Sequence, residues 1–138
     1  MPANAQMGLR LELPKEVSAV ETARQALLQF IEPSQPDGGV INRIEVVLEE
    51  LVSNVVRHAD QATRIVLSAD LCEQGLLLWI EDDGAAFDPL AAQENAPFDT
   101  LENATLGGLG IPLIKRLTKS VDYERCGDIN RMKVLFAL

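Results

Sequence analysis

Three short runs of residues hold the side chains and glycines that could do chemistry. Glu50-Leu51-Val52-Ser53-Asn54 sets a carboxylate and a carboxamide four positions apart. Asp82-Asp83-Gly84 ends an apolar run with two acids and a glycine, and Leu106-Gly107-Gly108-Leu109-Gly110-Ile111 places three glycines ahead of an apolar stretch. On a helix advancing about 100° per residue, Glu50 and Asn54 are neighbours one turn apart at the margin of an apolar stripe, while Glu49 is rotated away toward solvent. Glycines at a helix start let backbone amides close on an anion, because the first N–H groups lack intrahelical partners and the helix dipole favours negative charge there. Each run alone reads as a turn or a polar helix flank. In this order and spacing they read as one site.

The elements that must position these residues follow from the apolar pattern. Leu9, Leu11 and Leu13 alternate with Arg10 and Glu12, which predicts a half-buried strand ended by Pro14. Val17, Val20, Ala23, Leu27, Leu28 and Ile31 predict a helix from about Lys15 to Ile31, broken between Pro33 and Gly39. A longer helix runs from near Val40 to Ala59, with Ile44, Val47, Leu48, Leu51 and Val55 on its core face.

Beyond that helix, Ile65, Leu67, Ala69 and Leu71 alternate with Arg64, Val66, Ser68 and Asp70. The continuous run Leu76 to Ile80 reads as a central strand joined to it by a hairpin at Glu73-Gln74-Gly75. Pro89 to Thr105 lacks steady periodicity and reads as a long mobile lid. A helix from about Leu109 to Lys119 and two strands, Val121 to Cys126 and Arg131 to Leu138, turn at Gly127-Asp128 and complete the chain. Charged residues at alternate strand positions leave one sheet face wet. The expected architecture is therefore an α/β two-layer sandwich, a mixed, largely antiparallel sheet with helices on one face, forming a single domain over residues 1–138.

The run Val46-Val47-Leu48-Glu49-Glu50-Leu51-Val52-Ser53-Asn54-Val55-Val56-Arg57-His58-Ala59, with the Asp82 turn and Gly107 to Leu113, resembles the Bergerat-type ATP-binding fold of histidine kinases, gyrase and the heat-shock chaperone ATPases. Within that superfamily the chain looks most like the stand-alone anti-sigma serine/threonine kinases, over nearly its whole length. The resemblance implies ATP and Mg2+ as cofactors and gives each matching position a role. Asn54 coordinates the magnesium, and Glu50 acts as the base or water-positioning carboxylate. Asp82 accepts the adenine amino group beside Gly84, and Gly108, Leu109 and Gly110 receive phosphate oxygens. Asn130 stands where many members place a threonine that supports the adenine-binding Asp.

It further implies a small antagonist protein as substrate, a sigma-like transcription factor as a sequestered partner, and a homodimer. An ATP-gated binding switch without kinase activity, or a structural domain with a decayed site, are the rival readings. Two positions depart from the family pattern. Ala86 stands where a second glycine is usual, which predicts a stiffer turn and a smaller pocket, and the lid holds no Lys or Arg. The nearest bases downstream are Lys115 and Arg116. Phosphoryl transfer rests on positioning and charge stabilisation, so binding is expected to survive better than transfer. His58 lies one turn beyond Asn54, where it either approaches the phosphates or, the favoured reading, stabilises the helix C-terminus.

Composition agrees with this class. The chain has 138 residues, 47% of them hydrophobic and 24% charged, with a net charge of −9. Between Ile65 and Ile114 there is no Lys or Arg, while Asp70, Glu73, Glu81, Asp82, Asp83, Asp88, Glu94, Asp99 and Glu102 are acidic. Such a surface repels nucleic acid phosphates and suits a basic protein partner or a cation. No apolar run is long enough for a membrane span and the N-terminus lacks a signal-peptide pattern, so the expectation is a cytoplasmic protein with Cys72 and Cys126 as buried, reduced thiols.

Overall fold

The computed structural model describes residues 8–58, 61–91 and 110–138. Strand β1 (Leu9–Leu13) is followed by helix α1 (Ala19–Ile31), a 3-10 turn at Glu32–Ser34 and helix α2 (Gly38–His58). Strands β2 (Ile65–Cys72) and β3 (Gly75–Asp82) form a hairpin. Helix α3 (Gly110–Leu117) and strands β4 (Ser120–Cys126) and β5 (Ile129–Phe136) end the chain. The strands form one sheet in the order β1-β2-β3-β5-β4, so β3 is central. All four pairings are antiparallel, and the mixed character expected of the sheet is not found among the described strands.

The alternation of side chains explains the two layers. Leu11, Leu67, Ile80, Met132 and Tyr123 stand in one cross-strand row, and Leu9, Ala69, Leu78, Val134 and Val121 in another. These rows carry the buried leucines, isoleucines and valines of the core, which also takes in Ala23, Leu27 and Ile31 of α1, Ile44, Val47, Leu48 and Leu51 of α2, and Ile111 and Ile114 of α3. The helices therefore cover a single sheet face. The opposite face bears Arg10, Ser68, Trp79, Lys133 and Asp122 in register, with the Arg131 guanidinium 5.5 Å from the Trp79 ring centroid.

Several boundaries differ from the sequence pattern, each for a local reason. Helix α1 begins at Ala19 rather than Lys15, and Val17 is 82% exposed instead of lying on the core stripe. Helix α2 begins two residues before Val40, because Asp37 Oδ1 accepts the Val40 N–H at 2.8 Å and its carbonyl accepts the Ile41 N–H at 3.0 Å. Gly75 opens β3 with φ 136°, and a Cβ there would lie 1.9 Å from the Phe136 carbonyl oxygen, so the hairpin and the close β5 backbone both require glycine.

Both cysteines are free and exposed, against the expectation of burial. Cys72 ends β2 and Cys126 ends β4, each at a hairpin where the chain leaves the sheet. No helix among the described residues is long and apolar enough to cross a membrane.

Candidate functional site

The row of the sheet nearest the β3 C-terminus is where the helix-facing surface turns polar. It runs Leu13, Ile65, Asp82, Asn130 and Arg125, with the first two apolar and the last three polar. Asp82 is 8% exposed and Asn130 5%, and they are the buried polar side chains among the described residues. A buried carboxylate of this kind must be hydrogen-bonded.

Asn130 Nδ2 donates to Asp82 Oδ1 at 3.0 Å and to the Ala85 carbonyl at 2.8 Å, and the Gly84 N–H donates to Asp82 Oδ1 at 2.9 Å. Asn130 Oδ1 accepts from the Phe87 N–H at 3.2 Å and from the Tyr123 hydroxyl at 2.5 Å. Arg125 Nη1 donates to the Gly84 carbonyl at 2.8 Å. One carboxamide thus holds the whole turn from Asp82 to Phe87. Burial raises the Tyr123 phenol above its ordinary value, which keeps its hydroxyl protonated and donating.

Asp82 spends one oxygen on this network. Oδ2 accepts no hydrogen bond among the described residues, and Asp82 borders a cavity lined by Leu51, Asn54, Val55, Phe87 and Met132 along with Asn130. Leu51, Asn54 and Val55 come from α2, so the helix and the β3 end meet across this cavity, bringing Asn54 and Asp82 to one place as their types suggested. Glu50 lies one turn earlier on α2, half-buried and outside the cavity lining, while Glu49 is exposed. The helical phase separating the two glutamates is as the sequence predicts.

The two neighbouring acids of the turn have different tasks. Asp83 faces away from the cavity and accepts the Thr63 N–H at 2.7 Å, the Thr63 hydroxyl at 2.5 Å and the Arg64 N–H at 3.2 Å. These bonds hold its carboxyl well down, at about 2. It clamps the end of β3 to the start of β2. Asp88 Oδ1 accepts the Leu90 N–H at 2.9 Å and the Ala91 N–H at 3.3 Å, capping a helical turn that opens at Pro89 where a structureless lid was expected to begin.

The remaining sequence candidates divide. Gly84 is buried in the turn without a positive φ, and Ala86, also without one, is exposed and unstrained. The turn therefore asks no left-handed conformation of the alanine. Gly110 is the first residue of α3, whereas Gly107, Gly108, Leu109 and most of the expected lid lie outside the described residues. Lys115 and Arg116 are exposed in the last turn of α3, at the opposite end from the glycines. His58 ends α2, and its side chain lies outside the described residues. Tyr123 and Arg125 were not singled out by sequence. Only the β4–β5 register, which sets them around Asn130, reveals their part.

A model of the histidine kinase-like ATPase domain matches residues 13–136. The chain belongs to this family. Among curated relatives of the histidine kinase-like ATPase domain, it is 29% identical over 87 residues to the serine/threonine-protein kinase BtrW of Bordetella bronchiseptica, an alignment covering 61% of each chain. That stretch is less than two thirds of the relative's length. The fold resembles a part of the solved chain that holds the RsbU and RsbW domains of Rv1364c from Mycobacterium tuberculosis, with a TM-score of 0.70, 17% identity, and 96% of this chain matched to 33% of that one. It also resembles that of a chain in the SiaB–SiaC complex from Pseudomonas aeruginosa, with a TM-score of 0.65, 16% identity, and 91% of this chain matched to 87% of that one.

The residues present fit the nucleotide this histidine kinase-like ATPase fold implies. Adenine asks for an apolar slot and an acceptor for its exocyclic amino group, and Leu51, Val55, Phe87 and Met132 line the cavity together with the Asp82 carboxylate. Among the described residues no group of three or more His, Cys, Asp or Glu is arranged to hold a metal ion. Asn54 on the cavity wall carries a carboxamide oxygen that would suit magnesium, a hard and strongly hydrated cation that takes its other ligands from phosphate and water.

Proposed function

We propose that the protein is an ATP-binding regulatory serine/threonine kinase of the anti-sigma type, which phosphorylates a small antagonist protein and sequesters a sigma-like transcription factor. The observation that carries the reading is the Asp82 carboxylate, held through Oδ1 by Asn130 and lining an apolar cavity that Asn54 shares. Membership of the histidine kinase-like ATPase family and the likeness to a serine/threonine kinase support it. The likeness of fold to a protein solved in complex with a second protein supports a protein partner.

In this reading Asp82 takes the adenine amino group and Asn54 donates its oxygen to magnesium. Bound ATP supplies the transferable phosphoryl group, with magnesium offsetting its charge. Glu50 orients the attacking hydroxyl and takes its proton, the Gly108–Gly110 amides receive phosphate oxygens, and the chain acts as a homodimer.

A nucleotide-gated binding switch without transfer is the second reading. Glu50 standing outside the cavity lining favours it, as does the absence of any Lys or Arg between Ile65 and Ile114. Incubation with labelled ATP and candidate antagonist proteins distinguishes the two. Label transfer that Glu50→Gln abolishes supports the kinase, and nucleotide binding without transfer to any of them supports the switch.

A further inference from the structure

Strand β4 is an edge of the sheet, yet one of its side chains, Tyr123, lines the cavity with Asp82 and Asn54. Tyr123 faces Met132 in register, which sets Asn130 two positions along the neighbouring strand, a diagonal that a tyrosine is long enough to span. Its hydroxyl ends on Asn130 Oδ1 at 2.5 Å, while the other donor to that oxygen, the Phe87 N–H, stands at 3.2 Å. The Nδ2 hydrogens of the same carboxamide go to Asp82 Oδ1 and the Ala85 carbonyl. Both donors and both acceptor positions of Asn130 are thereby filled, and the Tyr123 hydroxyl fills one of them.

We propose that Tyr123 is a positioning residue for purine selection: its hydroxyl fixes the rotation of the Asn130 carboxamide, and the carboxamide fixes the Asp82 carboxylate that separates adenine from guanine. This rests on the reading of the cavity as an adenine-nucleotide site and names a residue that sets its selectivity.

The torsion that turns a carboxamide is soft, with broad wells. The Phe87 N–H and the Asp82 carboxylate decide which end of Asn130 points where, because a flipped amide would set donor against donor and oxygen against oxygen. One contact of 3.2 Å still leaves the amide plane free to rock, and the shorter contact from Tyr123 on the same oxygen removes that freedom. Burial raises the Tyr123 phenol, so the hydroxyl stays protonated and keeps donating. Guanine offers a carbonyl where adenine offers an amino group. A carboxylate held in place repels that carbonyl, whereas one that can swing aside tolerates it. The hydroxyl of Tyr123 therefore acts on the difference between the two purines. Its ring packs against the core, so Tyr123→Phe keeps the packing and removes the hydroxyl alone.

Titration calorimetry of Mg-ATP and Mg-GTP tests this on wild type, Tyr123→Phe, Asn130→Ala and the Tyr123→Phe/Asn130→Ala double variant, with melting temperatures checking that each folds. Tyr123→Phe is expected to lose about threefold to tenfold of the preference for ATP over GTP, the size of one neutral hydrogen bond. In the Asn130→Ala background the same substitution should change the preference no further, since the hydroxyl has nothing left to hold. A part in stability alone would lower both affinities together and leave their ratio as it was. Tyr123 is the only tyrosine of the chain, so growth on 3-fluorotyrosine alters this position alone. That analogue keeps the hydroxyl, and the protein carrying it should keep the wild-type preference. A wild type that binds ATP and GTP alike would overturn both this proposal and the reading of Asp82 as the adenine acceptor. A wild type that prefers ATP would overturn the part of Tyr123 alone if the preference survives in Tyr123→Phe, if it falls as far with 3-fluorotyrosine, or if Tyr123→Phe has its full effect without Asn130.

Discussion

Asn130 and Asp82, opposite each other on β5 and β3, share a 3.0 Å hydrogen bond through Asp82 Oδ1, and both line the cavity beside α2. A carboxylate free to rotate would present either oxygen at varied angles. One held by a buried carboxamide presents a fixed acceptor, and that fixity is what selective recognition of an amino group requires.

Asn130→Ala removes the donor to Asp82 and Ala85 and the oxygen that accepts from the Phe87 N–H and the Tyr123 hydroxyl. Leaving buried polar groups unpaired costs about 1–3 kcal/mol. Urea unfolding should show a loss of that order, and adenine nucleotide affinity should fall with it. Unchanged stability and affinity would remove Asn130 from the site.

Asp83 gives a pH signature separate from the cavity. Its carboxyl lies at about 2 in the folded chain against an ordinary 3.8. A depressed value means the clamp on Thr63 and Arg64 stabilises fully above the unfolded value and is lost as pH falls from about 4 to about 2. Asp83→Asn should be less stable than wild type at pH 7, with the gap narrowing through that window. Melting curves from pH 7 to pH 2 check it, and a gap that stays constant would contradict the assignment.

Much of this arrangement is legible in the chain because it follows from period and type. Leu9, Leu11 and Leu13 announce β1 by alternation, and the helical phase of α2 separates exposed Glu49 from half-buried Glu50 and cavity-lining Asn54. What escapes depends on neighbours remote in sequence. Asp82 and Asp83 look alike as a dipeptide, yet strand alternation sends one to the cavity and the other to Thr63. Tyr123 and Arg125 gain their roles only from the β4–β5 register. The cysteines are apolar enough to suggest burial, but strand ends at hairpins have no layer to cover them.

Glu50→Gln should keep nucleotide affinity and melting temperature while losing phosphorylation of a cognate antagonist, and Glu49→Gln should keep all three. Parallel binding and transfer assays on both variants check it. Loss of transfer in Glu49→Gln alone would place the working carboxylate on the solvent side of α2.

Ala86→Gly should change nucleotide affinity by less than about twofold. Ala86 is exposed and its φ is not positive, so a glycine there relieves no strain in the folded state. Titration calorimetry on the variant checks it, and a large gain in affinity would show that the alanine obstructs the pocket.

The most direct test of the site is titration calorimetry of ATP and GTP, with and without magnesium, on wild type, Asp82→Asn and Asn54→Ala. The account predicts magnesium-dependent ATP binding to wild type with discrimination against GTP. Asp82→Asn should lose that discrimination, and Asn54→Ala should bind at least about tenfold more weakly with most of the magnesium dependence gone. Equal ATP affinity in all three proteins, indifferent to magnesium, would contradict the placement of the nucleotide between Asp82 and Asn54.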